Sequence, residues 1–131
     1  MDKRMNKEEL LELIESLGID KNEFWVLSSG ALVLRGIMQD AGDLDIAVTQ
    51  KALDELKKKF DLVQKENGWY KVNDKVECKL DTKEDWKIEE YEGLLLESIE
   101  KYYKYLLISE REKDIARIPL VEKYIKEKER K

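Results

Sequence analysis

The sequence predicts an α+β domain, a small mixed β-sheet flanked by helices with a helical C-terminal segment. Three observations lead there. Short runs such as "DLDIAV" (Asp43–Val48) and "KVECKL" (Lys75–Leu80) alternate apolar and polar residues, the period of a half-buried strand. Other stretches repeat apolar residues every three or four positions, as Leu10, Leu13, Ile14 and Leu17 do. Asn-Gly and Asn-Asp pairs fall between strand candidates, where hairpin turns belong. At 131 residues the chain fits one domain over 1–131, with a core at about 23–82 and a helical part at about 87–131.

Asn6 with Glu9 makes an N-terminal capping pair for the first helix, and Gly18 is its stop. "FWVLS" (Phe24–Ser28) reads as a short buried strand and "GALVLRGIM" as a buried helix. In "DLDIAV", Leu44, Ile46 and Val48 point one way and Asp43, Asp45 and Ala47 the other. Thr49 caps a helix through Phe60 with Leu53 and Leu56 on its inner face. Three strands follow, "FDLVQK", "GWYKV" and "KVECKL", turned at Asn67-Gly68 and Asn73-Asp74. The remainder is expected to be helical. Leu95, Leu96, Ile99, Tyr103 and Leu106 form one stripe that "EREKDIAR" continues, and Pro119 opens a last helix from Leu120 to Lys128.

Composition narrows the chemistry. Charged residues make up 42% of the chain, against roughly 25% in an average domain, and the net charge is −5. An acidic balance argues against a surface built for long nucleic acid. Cys78 is the sole cysteine and there is no histidine, so internal disulfides, Ser–His triads and His- or Cys-clustered metals are excluded. Any catalysis must run on carboxylates, hydroxyls, lysines and arginines. No apolar run approaches the length of a membrane span, and a cytoplasmic protein with no membrane partner is expected.

Within "SSGALVLRGIMQDAGDLDIAV" (Ser28–Val48), Asp43 and Asp45 share one strand face. Two like charges so placed need water, a proton or a cation between them. Without histidine or thiolate, the fitting cation is hard and oxygen-loving, Mg2+ or Mn2+. Glu77 falls on the polar side of its own strand and would supply a third acid if both strands face the same core. Upstream, Ser28, Ser29 and Gly30 lie between a strand and a helix start, where backbone N–H groups and small residues form a cradle for phosphate. An isolated Asp-x-Asp is also the mark of an ordinary exposed strand face.

Strand, small-residue loop, helix and then an Asp-x-Asp strand is a layout that resembles the nucleotidyltransferase fold of the DNA polymerase β-like superfamily. The resemblance covers roughly Glu23 to Lys123, and Ser28–Val48 is its specific part. It implies transfer of a nucleoside monophosphate from an NTP to an acceptor hydroxyl, assisted by two metal ions on Asp43, Asp45 and Glu77, with Ser28, Ser29 and Gly30 on the β- and γ-phosphates. Small stand-alone members carry a Lys-bearing helix followed by an R-x-K-D run, which Lys104 and "REKD" (Arg111, Lys113, Asp114) resemble. Lys104 and Lys113 would then offset triphosphate charge and Asp114 would orient a neighbouring base. The acceptor is open among a small molecule, a tRNA end and a protein hydroxyl, and its site would use the C-terminal helices or a second subunit of a homodimer.

The alternative is a catalytically degraded protein of this fold, acting as a binding, regulatory or toxin–antitoxin partner. It rests on Met38–Gly42, which stand where many relatives carry an Arg and a Thr. Cys78 reads as a small core residue. Trp25, Trp69 and Trp86 read as core and edge packing ahead of base-stacking platforms.

Overall fold

The computed structural model describes residues 4–129. The chain divides between Glu97 and Ser98 into two compact units. The first holds a seven-stranded mixed sheet with helices on it, and the second is a pair of helices, so the protein is α+β with a helical C-terminal segment.

The first unit opens with α1 (Lys7–Leu17), closed by the full Asn6/Glu9 capping box and ended by Gly18 in the left-handed conformation. Then come β1 (Phe24–Val26), α2 (Ser28–Leu34), β2 (Leu44–Val48) and α3 (Gln50–Lys59), the last capped by Thr49. β3 (Val63–Gln64), β4 (Tyr70–Lys71) and β5 (Val76–Leu80) follow. After a single 3-10 turn at Lys83–Asp85, β6 (Ile88–Tyr91) and β7 (Leu94–Glu97) complete the sheet. The strand order is β3-β4-β5-β2-β1-β7-β6; β1–β7 and β2–β5 are parallel and the other pairs antiparallel.

The β6–β7 hairpin corrects the expectation of helix beyond Trp86. Glu92 and Gly93 both hold positive φ, 50° and 85°, as the two central residues of a tight hairpin turn require. Leu94 and Leu96 enter the main core while Leu95 packs on the opposite face, so both sides of β7 are covered. A strand buried on two faces reads as a continuous apolar run, which a helix segment also produces.

That main core lies on one face of the sheet. Phe24, Val26, Leu44, Ile46, Val48, Val76 and Cys78 meet Leu10, Ile14 and Leu17 of α1, Val33 and Leu34 of α2, and Leu53 and Leu56 of α3. Each fully buried aliphatic side chain contributes about 1.5–3 kcal/mol, enough to fix the strand register, because a one-residue slip would turn the whole set to the other face. Cys78 is fully buried, and burial, with the neighbouring Glu77 charge, pushes its thiol up to about 11. A thiol held neutral in this way is core packing, not a nucleophile.

The second unit contains α4 (Ile99–Ile108), capped by Ser98, and α5 (Glu112–Glu129). On α4 the buried positions are Ile99, Tyr102 and Leu106, so Tyr102 takes the inward place expected of Tyr103, and the Tyr103 hydroxyl donates to Glu122 at 2.7 Å. Pro119 lies inside α5 and does not open it. The helix starts earlier, at the Ser109–Asp114 turn, and the proline costs one ladder bond, to the Ile115 carbonyl, without ending it. Among the described residues, no helix is long and apolar enough to cross a membrane.

Candidate functional site

Each central strand sends alternate residues to the sheet face opposite the main core, and the register aligns them in rows. Asp45 of β2 stands beside Glu77 of the parallel strand β5, and Lys71 of β4 stands beside Glu77. On the other side the Leu27 N–H donates to the Asp45 carbonyl at 2.9 Å, extending the β1–β2 ladder. Glu97 ends β7 opposite Ile88. One row across the sheet is therefore Lys71, Glu77, Asp45, Leu27 and Glu97.

Adjacent strands lie about 4.8 Å apart, so Asp45 and Glu77 are like charges at close range, a pairing that costs stability unless it is neutralised. Lys65 does part of this: its Nζ donates to both Glu77 carboxylate oxygens, at 2.9 and 3.0 Å. Asp43 immediately precedes β2 and is exposed, while Asp45 and Glu77 are half-buried. These three carboxylates match a hard divalent cation in kind. They are not gathered around a common point; among the described residues, no three His, Cys, Asp or Glu side chains form a ready-made ion site.

Ser28, Ser29 and Gly30 form the first turn of α2, at the end of the sheet where Asp45 and Glu77 stand. Ser28 has φ 51°, left-handed backbone that a side chain disfavours. Its N–H donates to Glu97 Oε1 at 2.7 Å, and Glu97 is only 7% exposed. A carboxylate thus already sits on the first N–H of the turn. Gly30 has a packing reason to be glycine: an added Cβ would come within 3.0 Å of Val26 Cγ1 and 3.4 Å of Leu44 Cδ1, so α2 rests directly on β1 and β2. Ser28→Gly is expected to raise stability by about 1 kcal/mol through relief of the positive φ, read as a rise in the urea midpoint; no change would mean that the Glu97 bond, not the backbone, sets this conformation.

Sequence reasoning missed Glu97 and Lys65. Glu97 was hidden in a segment expected to be helical, and Lys65 lies at a strand end whose pairing only the fold reveals. Lys104 and Lys113 are exposed and belong to the second unit. Asp114, expected to orient a base, is buried and bound to its own unit: it accepts from Ser109 Oγ at 2.7 Å and Tyr105 OH at 3.1 Å. Compared with known proteins, the chain matches no family model and no curated sequence.

Proposed function

We propose that this chain transfers a nucleoside monophosphate from an NTP to an acceptor hydroxyl, the new O–P bond forming at the α-phosphate as pyrophosphate leaves, with Asp43, Asp45 and Glu77 as its acids. One observation supports the reading above the rest: Asp45 and Glu77 stand in register on adjacent parallel strands, at the sheet end where the Ser28–Gly30 turn opens α2. Asp43, Asp45 and Glu77 would hold Mg2+ or Mn2+, closing on the ion as Glu77 leaves Lys65. The ion would supply charge neutralisation at the phosphoryl oxygens and a more acidic attacking hydroxyl. Ser28, Ser29 and Gly30 would receive the β- and γ-phosphates once Glu97 yields the Ser28 N–H. Lys104 and Lys113 remain candidates for triphosphate charge, and the acceptor remains a small molecule, a tRNA end or a protein hydroxyl.

A second reading is favoured by two specific contacts. Lys65 on Glu77 and Glu97 on Ser28 already fill the positions that a metal and a phosphate would take. A protein locked in that state would bind a regulatory or toxin–antitoxin partner without catalysis. A calorimetric panel of the four NTPs with Mg2+ or Mn2+ separates the two. Binding of at least one NTP that requires the divalent ion is expected; no heat with any of them would sink the catalytic reading and leave the binding role.

A further inference from the structure

The sheet face that carries the acids carries a second row, one side-chain step further along the strands. Trp25 stands beside Ala47, Ala47 beside Lys79, and Leu95 lies on the same side of β7. Trp69 and Trp86 pack half-buried against this row, so all three tryptophans of the chain meet here. Trp25 and Trp86 meet edge to face, with centroids 6.1 Å apart at 62°. The Lys79 ammonium lies 4.9 Å from the Trp86 ring centre and 5.8 Å from that of Trp69. Asp81 fixes the arrangement by accepting from Trp86 Nε1 at 2.7 Å and pairing with Lys79 at 3.4 Å. Burial alone would raise the Asp81 carboxyl, but the bonds from Trp86 and Thr82 and the Lys79 charge outweigh it and hold it below the usual carboxylate range.

One atom in this cluster is unexplained by packing. Trp25 is fully buried, yet its Nε1 has no hydrogen-bond partner among the described residues. Buried indole N–H groups nearly always find an acceptor, and this exception calls for a reason. Packing within the cluster gives none, since no acceptor among the described residues reaches it.

We infer that the Trp25–Trp69–Trp86–Lys79 cluster is the subsite for a nucleobase. This rests on the proposed nucleotidyl transfer and assigns the base end of its NTP. Two indole faces and a cation suit a planar, electron-rich heteroaromatic ring with acceptor atoms, and stacking of this kind accepts any base. The spacing also fits. The indole row lies two residues from Asp45 and Glu77 along the strands, about 7 Å, a span that one ribose bridges between a base and its phosphates. A saturated ligand would leave the ring faces of Trp69 and Trp86 unused.

Because every tryptophan lies in this cluster, emission of the full-length protein reports on the subsite directly. The protein is titrated with adenosine, with ATP and with tripolyphosphate, each with Mg2+, and heats are recorded in parallel. Adenosine and ATP are expected to quench emission saturably and tripolyphosphate is not. Trp86→Leu is expected to weaken ATP by about tenfold, the scale of one lost base–aromatic stack, and Trp86→Phe to restore it to within about twofold. ATP heat without quenching by ATP or adenosine would overturn the subsite and leave the transfer reading intact. Quenching by tripolyphosphate equal to that by ATP would also overturn it. Absence of heat and quenching with all three would end both readings. The wild-type titration decides the matter even where the Leu variant fails to fold.

Discussion

Asp45→Asn is expected to reduce the proposed nucleotidyl transfer on the order of 10²–10³-fold, the usual cost of removing one preorganised charge from a phosphoryl-transfer site. The substitution keeps the shape of a half-buried side chain on β2 and removes one of two like charges that face each other across the β2–β5 ladder. Fold stability should therefore stay within a few degrees of wild type in a melting experiment, so the loss would be chemical. The measurement is incorporation of label from an α-phosphate-labelled NTP with Mg2+ present, using wild-type protein as the reference. Full activity in Asp45→Asn would remove Asp45 from the site, whatever the NTP affinity. Glu77→Gln is the natural companion, since it also releases Lys65 from its carboxylate partner.

The largest effect on stability is expected at Asp114. This carboxylate is 2% exposed and accepts from Ser109 and Tyr105, with Arg111 Nε at 3.6 Å and Arg117 Nη1 at 3.8 Å. Arg117 in turn donates to the Tyr102 hydroxyl at 2.8 Å. Asp114 also lies in the first turn of α5, where the helix dipole favours an anion. Asp114→Ala leaves the Ser109 and Tyr105 hydroxyls and the Arg111 and Arg117 guanidinium groups without their shared carboxylate, at a cost of about 3 kcal/mol. Urea unfolding followed by far-UV circular dichroism reads it; a loss below about 1 kcal/mol would mean that the network is solvated and energetically idle.

The same group gives a pH dependence whose sign follows from its partners. Burial would raise the Asp114 carboxyl, but the bonds from Ser109 and Tyr105 and the charges of Arg111 and Arg117 outweigh it, and it titrates below the ordinary Asp value. Between the two values the unfolded chain binds the extra proton, so stability rises with pH through that window. The contribution of Asp114 is fully present above the unfolded value and is lost as pH falls through the folded one. The stability difference between wild type and Asp114→Ala should therefore shrink as the pH is lowered through the acidic range.

Much of the first unit was legible because its signals are local or strictly periodic. Asn6 and Glu9, Thr49, and the alternation in "DLDIAV" and "KVECKL" state their own structure. Opposite-face placement of Asp45 and Glu77 followed from Leu44, Ile46, Val76 and Cys78 needing one core. The β6–β7 hairpin was not legible, since Leu94, Leu95 and Leu96 are apolar on both faces and lack the period that separates strand from helix. Pro119 misled because an N1 position is its commonest helical place, whereas here α5 is already running when it arrives.

The sequence by itself determined the α+β class, offered Asp43, Asp45 and Glu77 as candidate acids and left no histidine for chemistry, because residue type and period are properties of short stretches. Only the tertiary structure decided that Asp45 meets Glu77 in register, that Lys65 holds Glu77, that Glu97 takes the Ser28 N–H, and that three tryptophans distant in sequence share one row. Those are pairings between strands far apart in the chain. Strand order and register set them, and no local pattern of residues encodes strand order.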